Sequence, residues 1–341
     1  MALDLRLTLK IEFAWNFKSC FIKIFFSLMW LYNYISYMSR ETINICIPVF
    51  NEEKNLESLY TDLSKFISSG SEKFNLNFEI IFFDDGSSDN SRKIIENFDN
   101  AELIFTNENK GLGNAIKELM LYTKQSEAIG MFKIDGDGQM DINDIEIFLE
   151  NGLYQESDVI YGNRFHKNSS YKMPLLRKLG SSFFKLLMRT FSIKTSDPTN
   201  GFIYLNRKYI ENFKIIGNYN AAQQILLDAK LRDLKTHEVD INLNIRSSGK
   251  SFIGIKYPII VTSNLIALYV YKKTVRMLIA PGIIFLIIGL IILLYDIFLW
   301  ATGAKDQIIS DQVLILFIIF GAQLSITGFL IEIFNDFLLK F

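Results

Sequence analysis

Residues 42–67, TINICIPVFNEEKNLESLYTDLSKFI, decide the fold class. Their first part, TINICIPVF, is apolar at positions of both parities, which is how a strand reads when both of its faces are covered. The remainder, NEEKNLESLYTDLSKFI, opens on Asn51 and carries helical periodicity. The same strand-then-helix pattern repeats downstream. FEIIFF (78–83), AELIFT (101–106), AIGMFKI (128–134) and SDVIYG (157–162) read as further buried parallel strands, and SDNSRKIIENF, GLGNAIKELMLYT and DINDIEIFLENGL as the helices between them. Alternation of this kind predicts an α/β domain with a doubly wound, mostly parallel sheet. In such sheets ligands bind beyond the carboxyl ends of the strands, so the loops there are the place to look for chemistry.

Those loops share a character. Pro48-Val-Phe-Asn51-Glu52-Glu53 follows the first strand, Asp84-Asp85-Gly-Ser-Ser-Asp89 the second, Asn109-Lys-Gly-Leu-Gly-Asn114 the third, and Asp135-Gly136-Asp137-Gly138-Gln139 the fourth. Each alone also reads as ordinary turn and N-cap chemistry; four at one sheet edge point to a site. The glycine-rich third loop could approach a phosphate, but it lacks the third glycine of the dinucleotide fingerprint and follows the wrong strand, so a Rossmann dehydrogenase is disfavoured. In the fourth loop, alternate residues of an extended segment project to one side, giving Asp135, Asp137 and Gln139 a common face. All-oxygen ligands suit Mg²⁺ or Mn²⁺, with a substrate diphosphate completing the shell. Asp141 and Asp144 fall at the start of the next helix, where its dipole favours negative charge. The loop lacks the glutamate and spacing of a calcium-binding EF-hand. His166 and His237 stand isolated from any partner spacing.

Composition adds the second half. The chain has 341 residues, a net charge of −1 and a 50% hydrophobic content, with 30 Phe. Near neutrality excludes a global field for nucleic acid, and the apolar excess sits at the C-terminal end. Residues 277–300 and 312–334 carry one charge each, Asp296 and Glu332, and each is long enough to span a bilayer, which takes about 20 apolar residues. The short connector predicts a transmembrane hairpin. Lys272, Lys273 and Arg276 before it put the large N-terminal part on the cytoplasmic side, making a multi-pass membrane protein. Residues 257–276 mix apolar and basic groups and read as an interfacial helix; residues 39–256 read as the α/β domain. Residues 1–38 are an apolar extension, either interfacial or preceding a natural start at Met38. Cys20 and Cys46 suggest no disulfide framework.

PVFNEE, DDGSSD, NKGLG and DGDGQ, at these spacings and ahead of a membrane hairpin, resemble glycosyltransferase family 2, in the polyprenyl-phosphate glycosyltransferase branch that includes dolichol-phosphate mannose synthases. The resemblance covers about residues 41–335. It implies a GT-A fold and inverting, metal-dependent transfer of a sugar from a nucleotide-sugar to a polyprenyl phosphate, undecaprenyl or dolichyl. By match to the family's motifs, Pro48, Asn51, Glu52, Asp85 and Asp135 would hold the nucleotide-sugar, and Asp135, Asp137 and Gln139 the metal and diphosphate. A UDP-sugar is preferred over GDP-mannose, and association into a homo-oligomer through the hairpins is compatible with the family.

Between Gly162 and Ser196 there is no Asp or Glu but eight Lys or Arg, and PLLRKLGSSFFKLLMRTF within that stretch is an amphipathic helix pattern. Cations there suit a phosphate acceptor at a membrane surface. The resemblance assigns Arg164, Arg177 and Ser181 to the acceptor phosphate, Asp197-Pro-Thr-Asn-Gly201-Phe to a turn closing that side, and Arg246-Ser-Ser-Gly-Lys-Ser251 to a loop over the diphosphate. Relatives often have a Glu where AAQQILLDA offers Gln224. A processive polysaccharide synthase is the alternative, but it needs a Gln-x-x-Arg-Trp motif, and the tryptophans here are Trp15, Trp30 and Trp300. A non-catalytic membrane scaffold on the same fold is the other.

Overall fold

The computed structural model describes residues 40–166, 175–219, 221–243, 257–304, 306 and 312–338. Seven strands form one sheet: β1 (Glu41–Val49), β2 (Leu76–Asp85), β3 (Ala101–Thr106), β4 (Gly130–Lys133), β5 (Val159–Asn163), β6 (Ile203–Asn206) and β7 (Thr236–Asp240), in the order β3-β2-β1-β4-β6-β5-β7. The first five stand where the apolar runs place them; β6 and β7 are additional. β1 pairs in parallel with β2 and β4, β2 with β3, and β5 with β7, while β6 runs antiparallel between β4 and β5. The sheet is therefore mostly parallel with one reversed strand. β3 departs from the sequence reading: it is an edge strand with no fully buried residue, Glu102 and Phe105 being exposed, the latter 53% accessible.

Two apolar layers cover the sheet. On one face Ile43, Ile45 and Ile47 of β1 and Phe78, Ile80 and Phe82 of β2 pack against Leu56, Leu59, Leu63 and Phe66 of α1 (Leu56–Phe74). These four recur at helical spacing, and burying each contributes about 1.5–3 kcal/mol. α1 ends at Asn75, which turns left-handed and donates its N–H to the Ser71 carbonyl. On the other face Cys46, Ile81 and Phe83 meet Ala115, Ile116, Leu119 and Met120 of α3 (Leu112–Gln125). Cys46 is a buried free thiol, and burial pushes it up to about 12 although the Thr123 hydroxyl pulls the other way. Between and after these elements lie α2 (Ser91–Ile95), α4 (Ile145–Leu149), α5 (Leu153–Glu156), α6 (Leu175–Thr190), α7 (Arg207–Ile210), α8 (Ala222–Leu231) and α9 (Tyr257–Lys272).

Asp158, just before β5, ties three segments together. Its carboxylate accepts from the Lys235 N–H at 2.8 Å, the Asn206 amide at 3.0 Å and Lys208 Nζ at 3.2 Å. Burial alone would raise its pKa, but these donors outweigh it and hold the carboxyl below the usual aspartate range. A depressed folded pKa contributes stability that is present above the unfolded value and lost as pH falls through the folded one. Thermal melts should therefore show Asp158→Asn less stable than wild type at pH 7, with the gap closing below about pH 4.

α9 is not separate from this domain. Tyr257, Val261, Leu265 and Leu268 enter the same core as Ile225 and Leu226 of α8. At its far end Lys272 Nζ lies 3.7 Å from the buried carboxylate of Asp228, which also accepts from Arg232 and from the Lys214 N–H, each at 3.3 Å. Burial pushes the Asp228 carboxyl up, against the pull of Lys272 and Arg232. A π-helical turn (Val275–Ile279) then leads into α10 (Ala280–Ala301), which packs on α11 (Gln312–Leu338). Met277–Ala301 and Gln312–Ile333 are long and apolar enough to cross a membrane. They meet at small residues: a Cβ added to Gly282 would lie 2.9 Å from the Gly321 carbonyl oxygen, and one on Gly321 would lie 2.9 Å from that of Gly282. Backbones this close give dispersion contacts that lipid cannot replace.

Candidate active site

The strand order brings the loops after β1, β2 and β4 to one edge, and side chains stitch them. Asn51 adopts φ 56° and directs its amide oxygen at the second loop, accepting from the Ser88 N–H at 2.8 Å and the Asp89 N–H at 3.3 Å. In return the Asn51 N–H donates to Ser87 Oγ at 3.0 Å, the Glu52 N–H to Ser91 Oγ at 2.9 Å and the Glu53 N–H to Asp89 at 3.1 Å. The Glu52 carboxylate accepts from the Asn55 amide at 2.6 Å. Buried Asp84 takes the Arg92 guanidinium at 2.9 Å, and Arg92 stacks over Phe105. Asp85 is also buried, and its two oxygens accept the Lys110 and Gly111 N–H groups at 3.0 and 2.7 Å.

That bond changes the reading of the glycine-rich loop. The Gly113 N–H donates to the Asn218 carbonyl at 2.9 Å, and a Cβ on Gly113 would collide with the Tyr219 carbonyl oxygen and lie 2.6 Å from the Asn218 carbonyl carbon. Gly111, at φ 96°, is equally close to Asn218. Rather than lying open for a phosphate, the loop is packed on protein backbone, and that approach explains both glycines. Gly113→Ala should cost about 1–3 kcal/mol by overpacking, read as a lowered melting temperature.

The acidic segment turns instead of running extended. Ile134 still donates to the Cys46 carbonyl at 3.0 Å; the chain then bends through Gly136, over the Pro48 carbonyl, and Gly138 at φ 70°. The bend lets the Gln139 N–H donate to Asp137 Oδ1 at 3.1 Å, so Asp137 and Gln139 share a part-exposed turn whose glycine has open space around it. Asp135 does something else. Its carboxylate pairs with the ammonium of Lys133, which is 2% exposed at the end of β4.

Because β6 is reversed, the segment leading into it lies at this same edge, with Ile203 opposite Lys133 on one side and Tyr161 on the other. Gly201 backs the Lys133–Asp135 pair: a Cβ there would fall 2.7 Å from Asp135 Oδ2. Earlier in the turn, fully buried Asp197 grips Arg164 in a two-pronged pair, Nε to Oδ2 at 2.6 Å and a terminal nitrogen to Oδ1 at 2.8 Å, and Thr199 Oγ1 accepts from the same nitrogen at 2.9 Å. Asn200 closes the turn by donating to the Gly162 carbonyl at 2.7 Å.

Comparison with known proteins decides what this edge belongs to. Residues 44–213 match the model of glycosyl transferase family 2. The chain carries a family 2 glycosyltransferase domain. It is 27% identical over 242 residues to the dolichol-phosphate mannosyltransferase of Saccharomyces cerevisiae, covering 67% of this chain and 87% of that protein. It is 26% identical over 180 residues to a dolichyl-phosphate beta-glucosyltransferase of Dictyostelium discoideum, covering 49% of this chain and about half, 54%, of that one. Among solved structures, glucosyl-3-phosphoglycerate synthase of Mycobacterium tuberculosis, in complex with Mn²⁺, UDP-glucose and phosphoglyceric acid, superposes with a TM-score of 0.51 at 16% identity, over 69% of this chain and 81% of that one. That likeness shows the GT-A fold.

Within the glycosyltransferase domain, the remaining candidates fall as follows. Ser181 lies on the buried face of α6, 7% exposed. The side chain of Arg177, the loop containing Arg246 and Ser251, and residues 1–38 lie outside the described residues. Gln224 is fully buried and clamps Ile216, accepting from its N–H at 2.8 Å and donating to its carbonyl at 3.0 Å. Asp141 caps the next turn through the Asn143 N–H at 3.0 Å, whereas Asp144 reaches across to accept from the Asn242 N–H at 2.6 Å. The histidines are structural: His166 Nε2 lies 3.2 Å from the Ile241 carbonyl, and His237 Nδ1 2.7 Å from Ser157 Oγ.

Sequence reasoning missed Lys133 and the partner of Arg164. The one available signal was a lysine inside an otherwise apolar strand, since a buried ammonium needs a carboxylate beside it. A resident metal fits the turn in part. Among the described residues no three His, Cys, Asp or Glu side chains converge, so a cation at Asp137 and Gln139 would draw further oxygens from a bound ligand, as Mg²⁺ and Mn²⁺ sites do with substrate phosphates.

Proposed function

We propose that this glycosyltransferase moves a sugar from a nucleotide-sugar to a polyprenyl phosphate at the cytoplasmic membrane face, with inversion at the anomeric carbon and with dependence on a divalent metal. The observation that carries the reading is the turn 197–201, which backs Asp135 on one side and holds Arg164 on the other. A donor site of carboxylates and an acceptor site of cations thereby share a wall, and the chain continues into an apolar hairpin.

The roles follow from charge. Asp137 and Gln139 would hold Mg²⁺ or Mn²⁺, which when bound neutralises charge on the departing diphosphate. Asp135, its position fixed by Lys133, would accept from hydroxyls of the nucleotide-sugar, beside Pro48, Asn51, Glu52 and Asp85. Arg164, oriented by Asp197 and Thr199, would receive the acceptor phosphate together with Arg177 and Ser181, and Arg246 would close on the donor. The nucleophile is a phosphate oxygen already anionic at neutral pH, so no general base is required and the structural histidines present no difficulty. The yeast and Dictyostelium relatives are named for dolichol-linked transfer, which supports the lipid acceptor.

The test uses membranes containing the full chain, radiolabelled UDP- and GDP-sugars and a polyprenyl phosphate. Label should enter the lipid fraction with added Mg²⁺ or Mn²⁺, most from a UDP-sugar, and EDTA should stop it. No transfer from any donor would overturn the reading; transfer persisting in EDTA would remove the metal.

A further inference from the structure

One corner of the sheet edge carries a large side chain that the proposed roles leave unused. The segment from Ile216 to Tyr219 is held on several sides. Gln224 clamps the backbone of Ile216, and a Cβ on Gly217, at φ 71°, would lie 2.9 Å from Asn264 Nδ2 of α9. The Asn218 carbonyl accepts from the Gly113 N–H at 2.9 Å, and a Cβ on Gly111 would lie 2.7 Å from the same oxygen. The Tyr219 ring stands 6.1 Å from that of Tyr257. Despite this hold, Tyr219 is 41% exposed. A large ring on a segment so firmly fixed is a preorganised contact surface, because little conformational entropy is left to lose when a ligand meets it.

Its neighbours on either side tell what that surface faces. Toward the donor, Gly111, packed against Asn218, also gives its N–H to the buried Asp85 carboxylate at 2.7 Å. Toward the acceptor, Tyr257 meets the Phe184 ring of α6 at 5.7 Å, and Ser181 lies three residues earlier on the same buried face. Tyr219 therefore stands between Asp85, assigned to the nucleoside, and the helix face of Ser181, assigned to the acceptor phosphate. What passes between those two is the transferred sugar. The first turn of α8 gives it no contact: Gln224 is turned onto Ile216, and fully buried Gln223 donates to the Tyr257 hydroxyl at 3.3 Å. A phenol suits the task, since the negative face of its ring attracts the polarised C–H groups of a pyranose and its hydroxyl can meet one of the sugar's.

We propose that Tyr219 is a sugar-contacting residue of this enzyme, its ring packed on the pyranose of the bound nucleotide-sugar. This rests on the proposed transfer reaction and adds to it the side chain that meets the sugar itself.

Binding and kinetics test it in the full chain, reconstituted in lipid nanodiscs with Mn²⁺, by calorimetric titration of UDP against UDP-glucose and of GDP against GDP-mannose. Tyr219→Leu keeps apolar bulk and loses the aromatic face. It should weaken the nucleotide-sugar that wild type binds by about tenfold and leave the matching free nucleotide unchanged. Tyr219→Phe should restore most of that loss. The KM for the polyprenyl phosphate should hold in both variants, while Gly113→Ala, which disturbs the segment itself, should weaken nucleotide and nucleotide-sugar alike. Equal weakening of the two in Tyr219→Leu would mean that the ring serves the nucleoside or merely the segment, and would overturn the proposal. A raised acceptor KM with donor affinity intact would put the ring on the lipid and overturn it as well, as would a Tyr219→Leu variant equal to wild type in every titration. Wild type binding none of the four compounds would be a separate failure, that of the transfer reading, and would take the proposal with it.

Discussion

Asp137→Ala abolishes transfer and leaves the fold intact: that is the expected result of the most direct test of the donor site. Neutralising the leaving diphosphate contributes several kcal/mol to a reaction of this kind, and about 4 kcal/mol corresponds to about 10³-fold in rate. The structural cost should be small. Asp137 is part-exposed on a turn. The variant should melt within about 1 °C of wild type, since surface substitutions usually stay within about 0.5 kcal/mol. Manganese titration followed by electron paramagnetic resonance should show the nucleotide-dependent binding step gone. Full activity in Asp137→Ala would take the metal away from this turn.

Asp197→Ala should do the opposite, costing stability before chemistry. Asp197 is fully buried and meets an Arg164 side chain that is 13% exposed. Removing one partner of such a pair leaves a poorly solvated charge, at about 3–5 kcal/mol. For a domain of this size that lowers the melting temperature on the order of 10 °C. Arg164→Lys gives the complementary measurement: it keeps the charge but loses the two-pronged geometry. It should fold better than Asp197→Ala while raising the KM for the lipid acceptor more than that for the donor. Equal effects on both substrates would place Arg164 outside the acceptor site.

The strands from β1 to β5 were legible because each is a short, mainly apolar run bounded by turn residues, although β3 proved to be an exposed edge rather than a buried strand. β7, Thr-His-Glu-Val-Asp, is polar and largely accessible, so nothing in its pattern separates it from a loop. β6 is four residues long and reversed, and a parallel reading has no place for it. The acidic loop was legible because its residues are adjacent in sequence. Its electrostatics were not: Lys133 pairs with Asp135 two residues on, and the reversal of β6 brings Gly201 against that pair and Asp197 to Arg164, thirty-three residues away. The glycines of Asn109–Asn114 misled because a glycine needed for close approach to a phosphate and one needed for close approach to a carbonyl look the same in sequence.

The turn 197–201 touches an ion pair at each end, Arg164–Asp197 at one and Lys133–Asp135 at the other. On the proposed roles, a donor held at Asp135 would shift the charge pressed against Gly201, and an acceptor phosphate held at Arg164 would load the turn from its other end. Linkage makes such effects mutual: whatever factor one substrate adds to the affinity of the other, it receives back. The two substrates of this enzyme would then bind as a cooperative pair, a thermodynamic property of the wall between them.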